Sequence, residues 1–154
     1  MIDTSSVIEL RNVPRDARDT VITALNDMVE RDILYFPPQV LAELSRIGPD
    51  VAQTWAKRNA QRATRYGYLY DEARQVLQRI PNLIDPARSG EDQADPYVIA
   101  TGQELANTGC RPTVITDDVS NKPGRTSLAA GAGVFGFPSM PLAVFLATQG
   151  IYSA

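Results

Sequence analysis

The segment from Ala94 to Asp118 constrains the fold more than any other part of this 154-residue chain. Apolar residues recur at helical spacing through its first half, so one helix face is predicted to pack on a sheet. The helix is predicted to end at Asn107, Thr108 and Gly109. The short β-branched stretch at 113–116 is typical of an inner strand of a parallel sheet. A helix followed by such a strand predicts a βαβ unit and an α/β domain.

Carboxylates mark both ends of this segment. Asp95 precedes Pro96 at the predicted helix start, and Asp117 and Asp118 follow the predicted strand. Ligands of open α/β sheets bind beyond the carboxyl ends of the strands, where acids from separate segments converge. Each acid also has a purely structural interpretation, because Asp is common at helix N-caps and in turns. The pattern therefore predicts either a binding site or ordinary capping and turn chemistry.

Composition limits both the class of protein and the chemistry that such a site supports. A hydrophobic content of 44% predicts one folded domain over residues 1–154. No apolar run approaches membrane-spanning length and the N-terminus does not resemble a signal peptide, so we expect no membrane insertion and a cytoplasmic location. The single cysteine and the absence of His exclude Ser-His-Asp and Cys-His catalysis and imidazole-bound zinc. A net charge of −3 means that any nucleic-acid binding requires a local basic patch.

Two other segments carry an acid beside a predicted apolar element. Asp3 stands near the start of the chain, and only Met1 and Ile2 precede it to form a first strand. Glu43 lies near the edge of the apolar face of a helix predicted over 38–47. From that position its carboxylate faces either a cleft beside the sheet or solvent, which is the commoner environment of Glu.

The other elements follow from periodicity and from proline and glycine positions. Helices are predicted over 15–31 and 140–148, and short strands over 33–36 and 134–137. A helical hairpin is predicted at about 50–80, with Asp50 as the N-cap of its first helix. Basic residues outnumber acidic ones in this hairpin, so it is either an RNA-binding surface or a solvated helix pair. The candidate RNA-binding residues are Lys57, Arg58, Arg62 and Arg65, together with Lys122 and Arg125 in the loop after the paired acids.

Four segments therefore deliver an acid to one end of the predicted sheet: Asp3, Glu43, Asp95, and either Asp117 or Asp118. Without a cation, carboxylates that share a site repel one another. An all-oxygen ligand set favours Mg²⁺ or Mn²⁺ over zinc. A metal of this kind supports hydrolysis of a phosphodiester bond without His.

Together these motifs resemble the PIN-domain family, in particular VapC-type toxin ribonucleases and their relatives. The resemblance is carried by DTSSVIE at the N-terminus, Glu43 in QVLAEL, Asp95 in ADPYVIATGQELA and the acid after VIT. It spans nearly the whole chain and implies a three-layer α/β/α sandwich with a central parallel sheet. It also implies a Mg²⁺- or Mn²⁺-dependent endoribonuclease, often with an antitoxin partner and often as a homodimer.

The resemblance implies a role for each matching residue. The catalytic and metal-binding residues would be Asp3, Glu43, Asp95 and Asp118, with Asp117 as the second choice for the last position. The family's last motif is usually Thr, any residue, Asp, which Thr116 and Asp118 match. Thr4 and Ser5 stand beside the first acid and, with Thr116, would support the site.

Two other functions remain open at the level of the sequence. One is a PIN-like binding module that has lost catalysis. The other is a receiver-like signalling domain with an acidic Mg²⁺ pocket, although the predicted strand over 33–36 ends in prolines rather than in a phosphoacceptor Asp. Metal-dependent RNA cleavage and phosphoprotein chemistry distinguish these functions from the nuclease.

Overall fold

A computed structural model describes residues 1–88 and 90–154 of the chain. The helices in this part of the chain are α1 (Thr4–Ile8), α2 (Arg15–Glu30), α3 (Pro38–Ile47), α4 (Val51–Ala63), α5 (Tyr70–Arg79), α6 (Asp95–Asn107), α7 (Leu128–Val134) and α8 (Leu142–Thr148). Short 3₁₀ turns cover Glu9–Arg11, Pro81–Leu83 and Pro86–Arg88. The strands are β1 (Val114–Ile115) and β2 (Ser139–Met140).

The expected three-layer α/β/α sandwich is wrong. Helix accounts for 59% of the described residues and strand for 5%, and the sheet consists of β1 and β2 in parallel, with Val114 opposite Ser139. On the other side of β1, Ile2 forms an isolated parallel bridge with Ile115. Because Asp3 caps α1, the helix begins immediately after this bridge and ends the extended N-terminal segment before it lengthens into a strand.

Two of the predicted strands are also wrong. Residues 33–36 form no strand. Ile2 donates a backbone hydrogen bond to Tyr35, N to O 2.9 Å. However, Pro37 and Pro38 follow at once, and proline favours a helix start over a sheet ladder because it lacks the N–H donor. Residues 134–137 instead complete α7 and the turn after it, in which Gly136 has a φ of 77°.

The predicted helical hairpin has its two helices in the expected places. Asp50 caps α4 as predicted, since its Oδ1 lies 3.0 Å from the backbone N of Gln53. The helices pack mainly on other elements, α4 on α2 and α3, and α5 on α6. They therefore belong to the body of the domain rather than to a projecting insertion.

A single apolar core joins these elements and fixes the positions of the acids. Phe36 packs against Trp55 with ring centroids 5.6 Å apart, and Leu25 of α2 and Leu44 of α3 are buried in the same core. The starts of α1 and α6, the middle of α3 and the end of β1 surround one cavity at the surface of this core. Within the described residues, no helix combines the length and the apolar character needed to cross a bilayer.

Candidate functional site

One cavity of about 390 Å³ is lined by four of the predicted acids, Asp3, Glu43, Asp95 and Asp118. They come from segments that are far apart in the sequence. Asp3 is the N-cap of α1 and Glu43 lies in the middle of α3. Asp95 is the first residue of α6, and Asp118 follows β1. The tertiary structure therefore brings together the residues that the sequence pattern singled out.

Asp3 is buried and its carboxylate is held by several donors. Its Oδ1 accepts from the backbone N of Ser6 at 2.9 Å, and its Oδ2 accepts from Thr116 Oγ1 at 2.9 Å. Ser5 Oγ lies within 3.0 Å of both carboxylate oxygens. Burial raises the pKa of Asp3 to about 6, and the hydrogen bonds from Ser6, Ser5 and Thr116 oppose this rise. Asp3 is thus both a helix cap and an acid of the cavity.

Glu43 is buried in the cavity wall instead of pointing into solvent. Its Oε1 accepts from the backbone N of Ala94 and from Arg88 Nη2, each at 3.2 Å. Its Oε2 accepts a hydrogen bond from Thr4 Oγ1. The predicted supporting residue Thr4 therefore orients Glu43, whereas Ser5 and Thr116 orient Asp3.

Asp95 does not cap α6, because Ala94 occupies the N-cap position. Its Oδ2 instead accepts from Arg125 Nη2 at 3.0 Å. Burial, followed by the negative charge of Asp3, raises the pKa of Asp95 to about 7, and the guanidinium of Arg125 acts in the opposite direction. A carboxylic acid whose pKa is raised in this way by burial and by a nearby charge is typical of a functional site.

Asp118 and Asp117 point to different parts of the molecule. Asp118 Oδ2 accepts from Arg125 Nη2 and from the backbone N of Leu128, each at 2.9 Å. Asp117 Oδ2 accepts from Ser6 Oγ at 2.5 Å and from the backbone N of Leu142 at 3.1 Å. Asp117 lines a separate cavity at the start of α8, so Asp118 is the acid that the fold directs to the site.

The donor set agrees in kind with a hard divalent cation. Carboxylate and hydroxyl oxygens line the cavity, and these are the ligands that Mg²⁺ and Mn²⁺ prefer. The acids are nevertheless not drawn into one tight cluster. Across residues 1–88 and 90–154, no three side chains among Asp, Glu, Cys and His are close enough together to hold a metal ion. Arg125, whose side chain is 17% exposed, lies between Asp95 and Asp118.

The predicted RNA-binding residues lie in different environments. Arg62 and Arg65 both form ion pairs with Asp32, at N to O distances of 2.8 Å and 3.2 Å, outside the cavity of the four acids. Lys57 and Arg58 are exposed on α4. The two loop residues also differ in environment: Lys122 is exposed, whereas Arg125 lines the cavity.

The sequence pattern did not single out four polar residues of the cavity wall: Arg46, Arg88, Glu91 and Gln93. Arg46 follows Glu43 by three positions on α3, and this helical spacing would have placed both on neighbouring parts of one face. The other three lie in the loop before α6, where the sequence has no periodic signal. Their position depends on tertiary contacts.

Comparison with protein-family models, with curated proteins and with solved structures found no match for this chain.

Proposed function

We propose that this chain is a Mg²⁺- or Mn²⁺-dependent endoribonuclease of the PIN-domain type, which hydrolyses RNA phosphodiester bonds. The observation that carries the proposal is the convergence of Asp3, Glu43, Asp95 and Asp118 on one cavity from four separate segments. The chain contains no His, so acid and base chemistry of the usual imidazole kind is not open to it. Oxygen ligands around a hard metal are the matching alternative.

The residues around the acids would keep them in place during the reaction. Ser5 and Thr116 hold the carboxylate of Asp3, while Thr4 and the backbone N of Ala94 hold Glu43. Preorganised ligands avoid the cost of ordering flexible side chains when a substrate arrives. Bound Mg²⁺ or Mn²⁺ would lower the pKa of an attacking water and stabilise the negative charge on phosphoryl oxygens.

The electrostatics of the cavity also favour a bound cation. Burial raises the pKa of Asp3 to about 6, and burial with the charge of Asp3 raises that of Asp95 to about 7. Both acids are therefore easier to ionise when a positive charge lies near them. Arg125 supplies one such charge, and a divalent cation would supply a larger one.

We extend the proposal to the biological setting that the resemblance implies. The chain would act as the toxin of a toxin–antitoxin pair in the cytoplasm, bound by an antitoxin protein and assembled as a homodimer. These partners are proposed from the resemblance of the motifs alone.

A specific observation favours a second function, an RNA-binding module without catalysis. Arg125 forms ion pairs with both Asp95 and Asp118, and so it occupies the space between two of the four acids. If this guanidinium stays in place in the cell, it would exclude a divalent cation from that position. The fold would then retain a surface for RNA without the means to cut it.

The test is incubation of the purified protein with a mixed RNA pool in Mg²⁺, in Mn²⁺ and in EDTA. We expect cleavage in either metal and none in EDTA. The controls are Asp118→Asn, which removes a cavity acid, and Asp71→Asn, which removes a highly exposed acid of α5. Loss of cleavage in the first variant only would exclude a contaminating nuclease. Equal cleavage in EDTA, or metal-dependent cleavage that survives in Asp118→Asn, would contradict the proposal.

A further inference from the structure

Two arginines at the edge of the cavity share one carboxylate. Arg88 Nη2 lies 2.8 Å from Glu91 Oε2, and Arg46 Nη1 lies 3.3 Å from the same oxygen. All three side chains are accessible to solvent, with exposures of 41% for Arg88, 45% for Arg46 and 42% for Glu91. Arg125 differs from them because it is largely buried between two acids.

Gln93 fixes the backbone at Asp85 and Arg88 by hydrogen bonds. The side chain of Gln93 is buried, and its Oε1 accepts from the backbone N of Asp85 at 2.7 Å. Its Nε2 donates to the carbonyl oxygens of Asp85 at 2.9 Å and of Arg88 at 3.0 Å. Arg88 is held further by Glu43 of the cavity. Arg46 is therefore carried by the helix α3, and Arg88 by backbone that Gln93 fixes.

We infer that Arg46 and Arg88 bind a backbone phosphate of the RNA strand beside the acids, in the place that the Glu91 carboxylate now occupies. The inference rests on the proposed ribonuclease function, because it names how that substrate is held. Carboxylate and phosphate oxygens accept from guanidinium groups in the same geometry, so one can replace the other. A phosphate also gains from the positive charge that remains once Glu91 is displaced.

This phosphate site lies at arginines that the sequence pattern did not single out. The arginines of α4, Arg62 and Arg65, also share one acid, Asp32, but they lie outside the cavity. A strand bound at Arg46 and Arg88 would lie beside Glu43, which Arg88 already contacts. A strand bound at Arg62 and Arg65 would have no such contact with the four acids.

The experiment measures the affinity for a labelled single-stranded RNA of about 15 nucleotides, by fluorescence anisotropy over a salt series. It is done in EDTA and again in Ca²⁺, so that binding is read separately from Mg²⁺-dependent cleavage. Arg46→Gln with Arg88→Gln should weaken binding by about ten-fold and flatten the salt dependence of log Kd by about one unit. Glu91→Gln should tighten binding by about two-fold to five-fold. The matched control, Arg62→Gln with Arg65→Gln, removes the same charge and should change the affinity by less than about two-fold.

Glu91→Gln decides the matter if the double arginine variant fails to fold, since it removes only an exposed acid and leaves Arg88 bound to Glu43. The inference is overturned if Glu91→Gln leaves the affinity unchanged, if the two double variants weaken binding equally, or if the parent chain binds no RNA in either condition. Binding with this pattern but without cleavage in Mg²⁺ would contradict the ribonuclease and keep the phosphate site. Cleavage in Mg²⁺ together with RNA affinities that these variants do not change would support the ribonuclease and contradict the phosphate site.

Discussion

Arg125 donates a hydrogen bond to Asp95 across the cavity, with Nη2 3.0 Å from Oδ2. The two residues are thirty positions apart, and the same nitrogen lies 2.9 Å from Oδ2 of Asp118. The guanidinium of Arg125 therefore acts as the counter-ion of two acids at which the sequence predicts a metal ion. A metal ion that binds there competes with Arg125 for the carboxylates of Asp95 and Asp118.

Asp95→Asn tests whether Asp95 is a ligand or a structural residue. Asn keeps an oxygen that accepts from Arg125, but it removes a buried negative charge close to Asp3. We expect the metal-free variant to be at least as stable as the parent at neutral pH, because like-charge repulsion is relieved. We expect Mn²⁺ affinity, measured by calorimetry, to fall by roughly 10- to 100-fold, and RNA cleavage to fall with it. Cleavage equal to that of the parent would show that Asp95 is not a ligand.

The stability difference between Asp95→Asn and the parent should depend on pH in a specific way. Asp95 has a pKa of about 7 in the folded chain, against 3.8 as its ordinary value, so the folded parent binds more protons than the unfolded chain between these values. The parent therefore loses stability relative to the variant as the pH rises from about 4 to about 7, and the difference is constant above about 7. Its full size is on the order of a few kcal/mol.

Urea unfolding of both metal-free proteins across this pH range measures the difference. The comparison between the two proteins is needed because a second group gives the opposite trend. Burial lowers the pKa of the N-terminal ammonium of Met1 to about 5, so this group makes both proteins more stable as the pH rises. A variant that loses stability relative to the parent as the pH rises would show that the ion pair with Arg125 dominates over burial.

Arg125→Gln tests the counter-ion directly. Asp95 and Asp118 are 16% and 14% exposed, so removing their shared cation should cost about 1 to 3 kcal/mol of unfolding free energy without metal. The same change should tighten Mn²⁺ binding by roughly ten-fold, because the metal no longer competes with the guanidinium. The matched control is Arg74→Gln, which breaks an exposed pair with Asp71 and should alter neither quantity. Weaker Mn²⁺ binding in Arg125→Gln would mean that Arg125 assists the metal site instead of competing with it.

Thr116→Val tests the hydroxyl that links two of the acids. Thr116 Oγ1 donates to Asp3 Oδ2 at 2.9 Å and accepts from the backbone N of Asp118 at 3.1 Å. Replacing this buried hydroxyl leaves both partners without it, so we expect a loss of about 1 to 3 kcal/mol in thermal or urea unfolding. Thr101→Val is the control, since the equally buried Thr101 donates only to a carbonyl of its own helix. Equal losses of unfolding free energy in the two variants would show that Thr116 stabilises the fold no more than Thr101 does.

Local patterns in the sequence predicted several features correctly because those features depend on near neighbours. The apolar spacing of Val40, Leu41, Leu44 and Ile47 predicted α3, in which Val40 and Leu44 are buried whereas Ile47 is exposed, and Asp50 caps the next helix as predicted. Asp3, Asp95 and Asp118 were picked out because they lie next to predicted elements, and Glu43 because it lies at the edge of the apolar face of one. Their common cavity agrees with that pattern, although periodicity alone did not determine whether Glu43 would face the cavity or solvent.

The extent of the sheet was not predictable from local pattern. A short β-branched or aromatic stretch becomes a strand only if partners of sufficient length lie beside it. Here α1 starts directly after Asp3, and Pro37 and Pro38 turn the chain into α3, so residues 1–3 and 33–36 make isolated contacts instead of a broad sheet. Val134 is the last residue of α7, and residues 135–137 follow it as a turn with Gly136 at a positive φ.

The choice between Asp117 and Asp118 shows what the sequence determined and what only the tertiary structure decided. The sequence determined that a pair of acids follows β1, which is a local fact. The chain bends at Asp117, just after β1, and the side chains of the two acids accept hydrogen bonds from different parts of the molecule. Partners distant in the sequence decided which of the two acids faces the site. The backbone N of Leu142, at the start of α8, donates to Asp117, while Arg125 and the backbone N of Leu128 donate to Asp118. Contacts of this kind exist only once the whole chain has packed.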